Sequence, residues 1–288
     1  MSRSASLIAP APFLELRDRF NDILRQFLRV RRQEAEWVDP GATLLVDELL
    51  RLVEAGGKRL RPAFCYWGFR AAGGADDEKI MRASAAMELL HTFALIHDDL
   101  MDGDVERRGV PSSRVALEQV ARDRGLDAPE RFGVAAAILA GDLAAVLADQ
   151  LMLEAGFPAF ALTRAQARYH EMRSELATGQ LLDLTGEGDR RRVAQLKGGY
   201  TVERPLLIGC ALAGGPMQVQ ARLSRYGAPL GEAFQLRDDL EDGDARGATP
   251  AQVKVLVKEA HKALDPSILD GDAVKALEGL ADIIVAGL

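Results

Sequence analysis

The chain has 288 residues, 48% hydrophobic and 27% charged, enough for a sizeable core in one large or two ordinary globular domains. A net charge of −7 argues against a nucleic-acid partner, which would require a basic surplus. Two cysteines, Cys65 and Cys210, both in apolar contexts, exclude a disulfide framework and fit a reducing cytoplasm.

Met1 to Pro12 carries one arginine, early serines and no apolar run, and is expected to be a disordered lead, not a signal peptide. Helical periodicity follows. Phe13, Leu16, Phe20, Ile23, Leu24, Phe27 and Leu28 recur at 3.6 spacing. Leu44 to Val53 predicts a second amphipathic helix, stopped at Ala55-Gly56-Gly57. Further helices are expected over 62–72, 76–102, 130–155, 164–184, 193–213, 218–242, 250–264 and 271–286. Gly73-Gly74, Gly156-Phe157-Pro158, Gly186-Glu187-Gly188 and Gly214-Gly215-Pro216 mark turns between them. Pro205 inside the 193–213 pattern predicts a kink, and Thr249-Pro250 predicts an N-cap followed by N1. No strand alternation and no linker rich in Pro, Gly or Ser occurs, so 13–288 is expected to be one all-α domain. Val134 to Ala148 is apolar all round and short of the ~20 residues of a membrane span. It is expected to be a buried central helix, with Asp142 hydrogen-bonded to a neighbour, and no transmembrane segment is expected.

Gly56-Gly57-Lys58-Arg59-Leu60-Arg61-Pro62 places three cations between a helix stop and a helix start. Alone, this loop is either a solvated basic turn or an anion site at a helix N-terminus. The run from Glu88 to Gly109 carries more. Its apolar first half delivers Asp98, Asp99, Asp102 and Asp104 at the end of a helix that Gly103 should stop. His91, Leu95, Asp98 and Asp102 line one stripe. Carboxylates at a helix C-terminus oppose the dipole, and a cation between them removes the conflict. Oxygen ligands without Cys or His suit Mg²⁺, usually held by one or two carboxylates plus substrate phosphates. Arg107 and Arg108 follow, with guanidinium forks suited to phosphate.

Phe234-Gln235-Leu236-Arg237-Asp238-Asp239-Leu240-Glu241-Asp242-Gly243-Asp244 repeats the pattern, with Glu241 in place of Met101. Gln235, Asp238, Asp239 and Asp242 again share a face. A calcium EF-hand loop fits poorly, because Leu100 and Leu240 occupy its third position and Gly109 and Thr249 its twelfth.

The two Asp-Asp-x-x-Asp motifs, Arg107-Arg108-Gly109 and Phe234-Gln235 resemble the trans-isoprenyl diphosphate synthases (the polyprenyl synthetases), short-chain geranylgeranyl and farnesyl diphosphate synthases in particular. The resemblance implies an isoprenoid-synthase helical bundle around a deep central cavity, and a cytoplasmic homodimer. It implies Mg²⁺ on Asp98, Asp102 and Asp238, with Asp99, Asp239 and Asp242 in or near that shell. Isopentenyl diphosphate would be held by Lys58, Arg61, His91 and Arg108. An allylic diphosphate would be held by Arg107 and Lys197, with Gln235 beside it. Gln180 and Asp183 match the helix that faces the metals. Phe93 and Ala94, five and four residues before Asp98, match the depth at which the family limits product length. Bulky Phe93 with small Ala94 implies a product of fifteen or twenty carbons, with geranylgeranyl diphosphate favoured.

Three departures accompany the resemblance. The family's Lys-Thr pair is Lys197-Gly198, one residue short of its usual spacing to Tyr200. Pro111-Ser112-Ser113-Arg114 replaces Pro-Thr and a following His. Asp244 to Pro250 leads straight to the last helices, where the family carries tens of residues that close over the diphosphate. That segment is either a natural deletion that opens the lid or a mobile lid missing from this sequence. These departures motivate an alternative, a non-catalytic or weakly active subunit of a heteromeric synthase. A terpene cyclase is disfavoured because the Gly56–Pro62 loop is kept. A phosphohydrolase built on His97-Asp98 would need further histidines, and His91, His170 and His261 supply no set.

Overall fold

The computed structural model describes residues 11–186, 189–241 and 248–286, except for the side chains of 11, 12 and 190. Among the described residues are twelve α-helices and one pair of two-residue strands, so the all-α expectation holds. The chain divides into two compact units. One comprises Leu16–Arg59 and Met81–Ala155, the other Met1–Glu15, Leu60–Ile80 and Gly156–Leu288.

In the first unit, α1 (Ala11–Val38) buries Leu16, Phe20, Leu24, Phe27 and Leu28, the stripe read from spacing. The helix already starts at Ala11, inside the expected lead, and the rest of that lead lies outside the described residues. A short 3-10 turn, Pro40–Ala42, is capped by Asp39, which accepts from the Gly41 N–H, and leads into α2 (Thr43–Glu54). Helix α4 (Glu78–Asp102) is buried through most of its middle, as its apolar run requires. Strands β1 (Glu106–Arg107) and β2 (Val110–Pro111) form a minimal antiparallel hairpin after it. Helix α5 (Ser113–Asp123) escaped the periodicity because Leu117 and Ala121 are its only buried apolar side chains.

Helix α6 (Pro129–Leu153) corrects an expectation. It runs 25 residues, long and apolar enough by length and composition to cross a membrane, but it is not buried all round. Its packed side consists largely of alanine and Gly141, which admit close neighbours, α5 and α2 among them. The larger Val134, Ile138, Leu139, Val146 and Leu153 are left exposed. Asp142 shares that exposed side. Its carboxylate is 64% exposed and lies 3.9 Å from His97 Nε2, beyond hydrogen-bond distance.

In the second unit, α3 (Leu60–Ala71), α7 (Ala159–Thr185) and α10 (Met217–Glu241) surround α9 (Glu203–Ala213), which is buried from Pro205 to Leu212. The expected helix over 193–213 is in fact two, α8 (Arg190–Thr201) and α9, broken at Val202. Pro205 causes the break three residues upstream of itself. Lacking an N–H, it cannot bond the Thr201 carbonyl, and its ring crowds that group. Helix α11 (Pro250–Ala263) starts in a capping box between Thr249 and Gln252, as the Thr-Pro pair predicted. Helix α12 (Gly271–Val285) is tied to α10 by the buried Tyr226 hydroxyl, which donates to the Leu277 carbonyl at 2.7 Å.

Candidate active site

The end of α4 is shaped by one arginine. Gly103, at φ +74°, stops the helix, and the Asp104 N–H folds back to the Asp99 carbonyl at 2.9 Å. The hairpin then returns Arg107 to the helix end, helped by the Ser112 hydroxyl, which donates to the Asp104 carbonyl at 2.8 Å. Arg107 Nε donates to Asp99 Oδ1 at 2.6 Å and Nη2 to Asp104 Oδ2 at 2.6 Å. Asp99, expected in or near a metal shell, is only 3% exposed and serves Arg107. Burial pushes the Asp99 carboxyl above the usual carboxylate range, against the pull of Arg107. Burial lowers the guanidinium's affinity for its proton, yet the bonds to Asp99 outweigh it and leave Arg107 raised.

Asp98 is half-buried and Asp102 exposed, four residues apart on one helical face. Two carboxylates without a thiolate fit Mg²⁺, whose remaining positions water and phosphate oxygens would fill. No cluster of three or more metal-binding side chains occurs among the described residues, and Asp242 lies outside them.

Residues 56–59 of the basic loop belong to the same unit. Lys58 is exposed, whereas Arg59 is buried and donates to Glu88 on α4. Arg108 donates to the Gly56 carbonyl and, at 3.4 Å, to Glu88 Oε1. His91 is half-buried one turn beyond Glu88. The Phe93 ring meets the His97 imidazole edge-on at 4.8 Å, and Ala94 is half-buried.

In the second unit, Asp238 and Asp239 are half-buried at the end of α10, and Gln235 Nε2 donates to Asp239 Oδ1 at 2.9 Å. Glu241, the one mismatch between the motifs, accepts from Arg237 Nε at 2.7 Å. Buried Arg237 also donates to the Ile283 and Ile284 carbonyls at 2.8 and 2.7 Å, fixing the motif to the end of α12. The Lys197 ammonium is paired with Asp183, and Gln180 is half-buried one turn before Asp183. Arg61 Nη2 donates to Thr201 Oγ1 at 2.7 Å, with its guanidinium 4.6 Å above the Tyr200 ring. Gly198 has a packing reason. A Cβ there would lie 2.1 Å from the Gly231 carbonyl oxygen, so the contact between α8 and α10 excludes a side chain.

The polyprenyl synthetase family model matches residues 43–250. The chain belongs to the polyprenyl synthetase family. It is 33% identical over 202 residues to a geranylfarnesyl diphosphate synthase of Aeropyrum pernix, covering 66% of this chain and 59% of that protein. It is 32% identical over 213 residues to a geranylgeranyl diphosphate synthase of Cyanophora paradoxa, covering 69% of this chain and 66% of that one. The chain thus spans just under two thirds of these relatives. A Corynebacterium glutamicum geranylgeranyl pyrophosphate synthase, solved with isoprenyl diphosphate and magnesium, superposes with a TM-score of 0.87 at 27% identity. That match covers 94% of this chain and 98% of the other, and the fold is the isoprenoid-synthase helical bundle.

Polyprenyl synthetase motifs pointed to the cations and the aspartates of this family member, but not to the groups that hold them. Glu88, Thr201 and Arg237 carry no role in the sequence reading, and Asp104 appears there only as one of the acidic run. Glu88 alone left a signal, as an acid inside an otherwise apolar helical run.

Proposed function

We propose that this chain is a Mg²⁺-dependent prenyltransferase. It condenses isopentenyl diphosphate with an allylic diphosphate to a chain of fifteen to twenty carbons, geranylgeranyl diphosphate being favoured. The observation that carries this reading is the pair of aspartate-bearing helix ends, one of which clamps Arg107 between Asp99 and Asp104. Asp98, Asp102 and Asp238 would hold the metal, with Asp239 and Asp242 in or near the shell and Asp99 behind it, holding Arg107. Bound Mg²⁺ supplies positive charge that favours departure of the diphosphate.

Arg107 and Lys197 neutralise charge on the departing oxygens, a preorganised electrostatic contribution. Gln235 steadies Asp239, Asp183 orients Lys197, and Gln180 lies on the same helix, facing the metals. Lys58, Arg61, His91 and Arg108 hold isopentenyl diphosphate with its double bond towards the allylic C1. The C1–O bond breaks, the double bond attacks C1, and the released diphosphate takes the proton. Phe93 and Ala94 bound the growing chain.

A homodimer belongs to this reading, because α6 exposes Ile138, Leu139 and Val146 in a row that a second copy would cover. A cytoplasmic location agrees with two buried free thiols. The subunit alternative draws on Gly198, which leaves the second position of the family's Lys-Thr pair without a side chain. Incubating the purified chain with Mg²⁺, isopentenyl diphosphate and farnesyl diphosphate tests both. Chain-lengthened products support the enzyme. No turnover alone, with activity restored by a second protein, supports the subunit.

A further inference from the structure

Glu88 is 2% exposed in the middle of α4, where an unpaired carboxylate would be costly. Two arginines converge on one of its oxygens. Arg59 Nη1 donates to Oε1, and Arg108 Nη2 lies 3.4 Å from the same atom. Both arginines also donate to the Gly56 carbonyl. Arg59 has no reach beyond the fold, because Nη2 donates to the Val53 carbonyl at 2.6 Å and Nε to Asn21 Oδ1 at 2.9 Å. Arg108, by contrast, keeps 22% of its side chain exposed. Its guanidinium lies against the turn so closely that a Cβ on Gly57 would approach it to 2.9 Å. Arg59 and Arg108 hold left-handed backbone, φ +51° and +55°, which non-glycine residues adopt at a cost.

We infer that Glu88 is a positioning residue that fixes Arg108 for the homoallylic diphosphate. It rests on the diphosphate-site reading above. Two guanidinium groups that share a carbonyl repel each other, and one carboxylate between them removes that repulsion. Arg59 locks the carboxylate from the inside. Arg108 is then held in one orientation against the Gly56-Gly57 turn, with 22% of its side chain exposed. Glu88 touches no substrate in this arrangement. Its effect on binding passes through Arg108.

The test is calorimetric binding of isopentenyl diphosphate, which needs no turnover, to wild type, Glu88→Gln, Arg108→Gln and the double variant. KM for both substrates is measured alongside, and circular dichroism checks folding. Losing one charge-assisted contact predicts about tenfold weaker binding in Glu88→Gln, with the allylic KM within about twofold. The double variant should bind no more than about twofold more weakly than Arg108→Gln alone, because coupled residues are non-additive. If Glu88→Gln fails to fold, Glu88→Asp replaces it; the shorter acid retains Arg59 and withdraws from Arg108. Full additivity in the double variant, or equal losses for both substrates, overturns the role of Glu88. Arg108→Gln binding as tightly as wild type overturns the site reading beneath it, a distinct result.

Discussion

Arg107→Ala separates what this arginine does for the fold from what it does for a substrate. The Asp99 side chain is 3% exposed, and Arg107 Nη2 lies 2.5 Å from its Oδ1. Removing one partner of a buried pair costs about 3–5 kcal/mol. Arg107 is itself 27% exposed, so water eases the loss; the lower end applies, about 3 kcal/mol. Asp104, the second partner, is 44% exposed, and a pair so solvated is worth about 0–1 kcal/mol. Asp104→Ala should therefore cost less than about 1 kcal/mol. A domain with about 5–15 kcal/mol of stability tolerates either change. In the Arg107→Ala background, Asp99→Asn removes the stranded charge and should restore at least half of the loss. It should not restore the raised KM for the allylic diphosphate. Urea unfolding followed by circular dichroism gives the stabilities, and steady-state kinetics gives KM. A loss below about 1 kcal/mol in Arg107→Ala, or further destabilisation by Asp99→Asn, would refute the reasoning.

Asp98→Ala or Asp238→Ala should lower kcat by about two orders of magnitude or more with helicity unchanged; near-wild-type turnover would remove their metal role. Phe93→Ala should lengthen the product, seen by chromatography after dephosphorylation, and a wild type already making thirty carbons or more would rule Phe93 out as the floor. Leu139→Glu on the exposed face of α6 should convert a dimer to a monomer in light scattering; a wild-type particle of 31 kDa at micromolar concentration would count against the dimer. Burial pushes the Cys210 thiol up to about 12, leaving about one thiolate in ten thousand at pH 8. Native alkylation followed by mass spectrometry should spare it, and labelling as fast as in urea would refute that. The same shift stabilises the fold below the unfolded thiol pKa of about 8.5, and this contribution is lost as pH rises towards 12.

Local chemistry along the chain was enough to locate most helices, the Gly103 stop and the capping box at Thr249, because each depends on residues within a turn of one another. The same locality marked Asp98, Asp102, Asp238, Lys58 and Arg107 as candidates, since their spacing crowds carboxylates at a helix end or groups cations in a loop. Tertiary structure decided the partners. Asp99 and Asp102 are equivalent as letters, yet one is buried under Arg107 and the other faces solvent. Arg59 and Arg61 are two residues apart, yet one is spent on Glu88, 29 positions away, and the other on Thr201, 140 away. Helix α6 reads as apolar on every side, and only its neighbours determine that the alanine face is packed and the branched face exposed. Periodicity specifies which side chains share a face of a helix. What that face meets depends on chain far away in sequence, and so do burial, pairing and proton affinity.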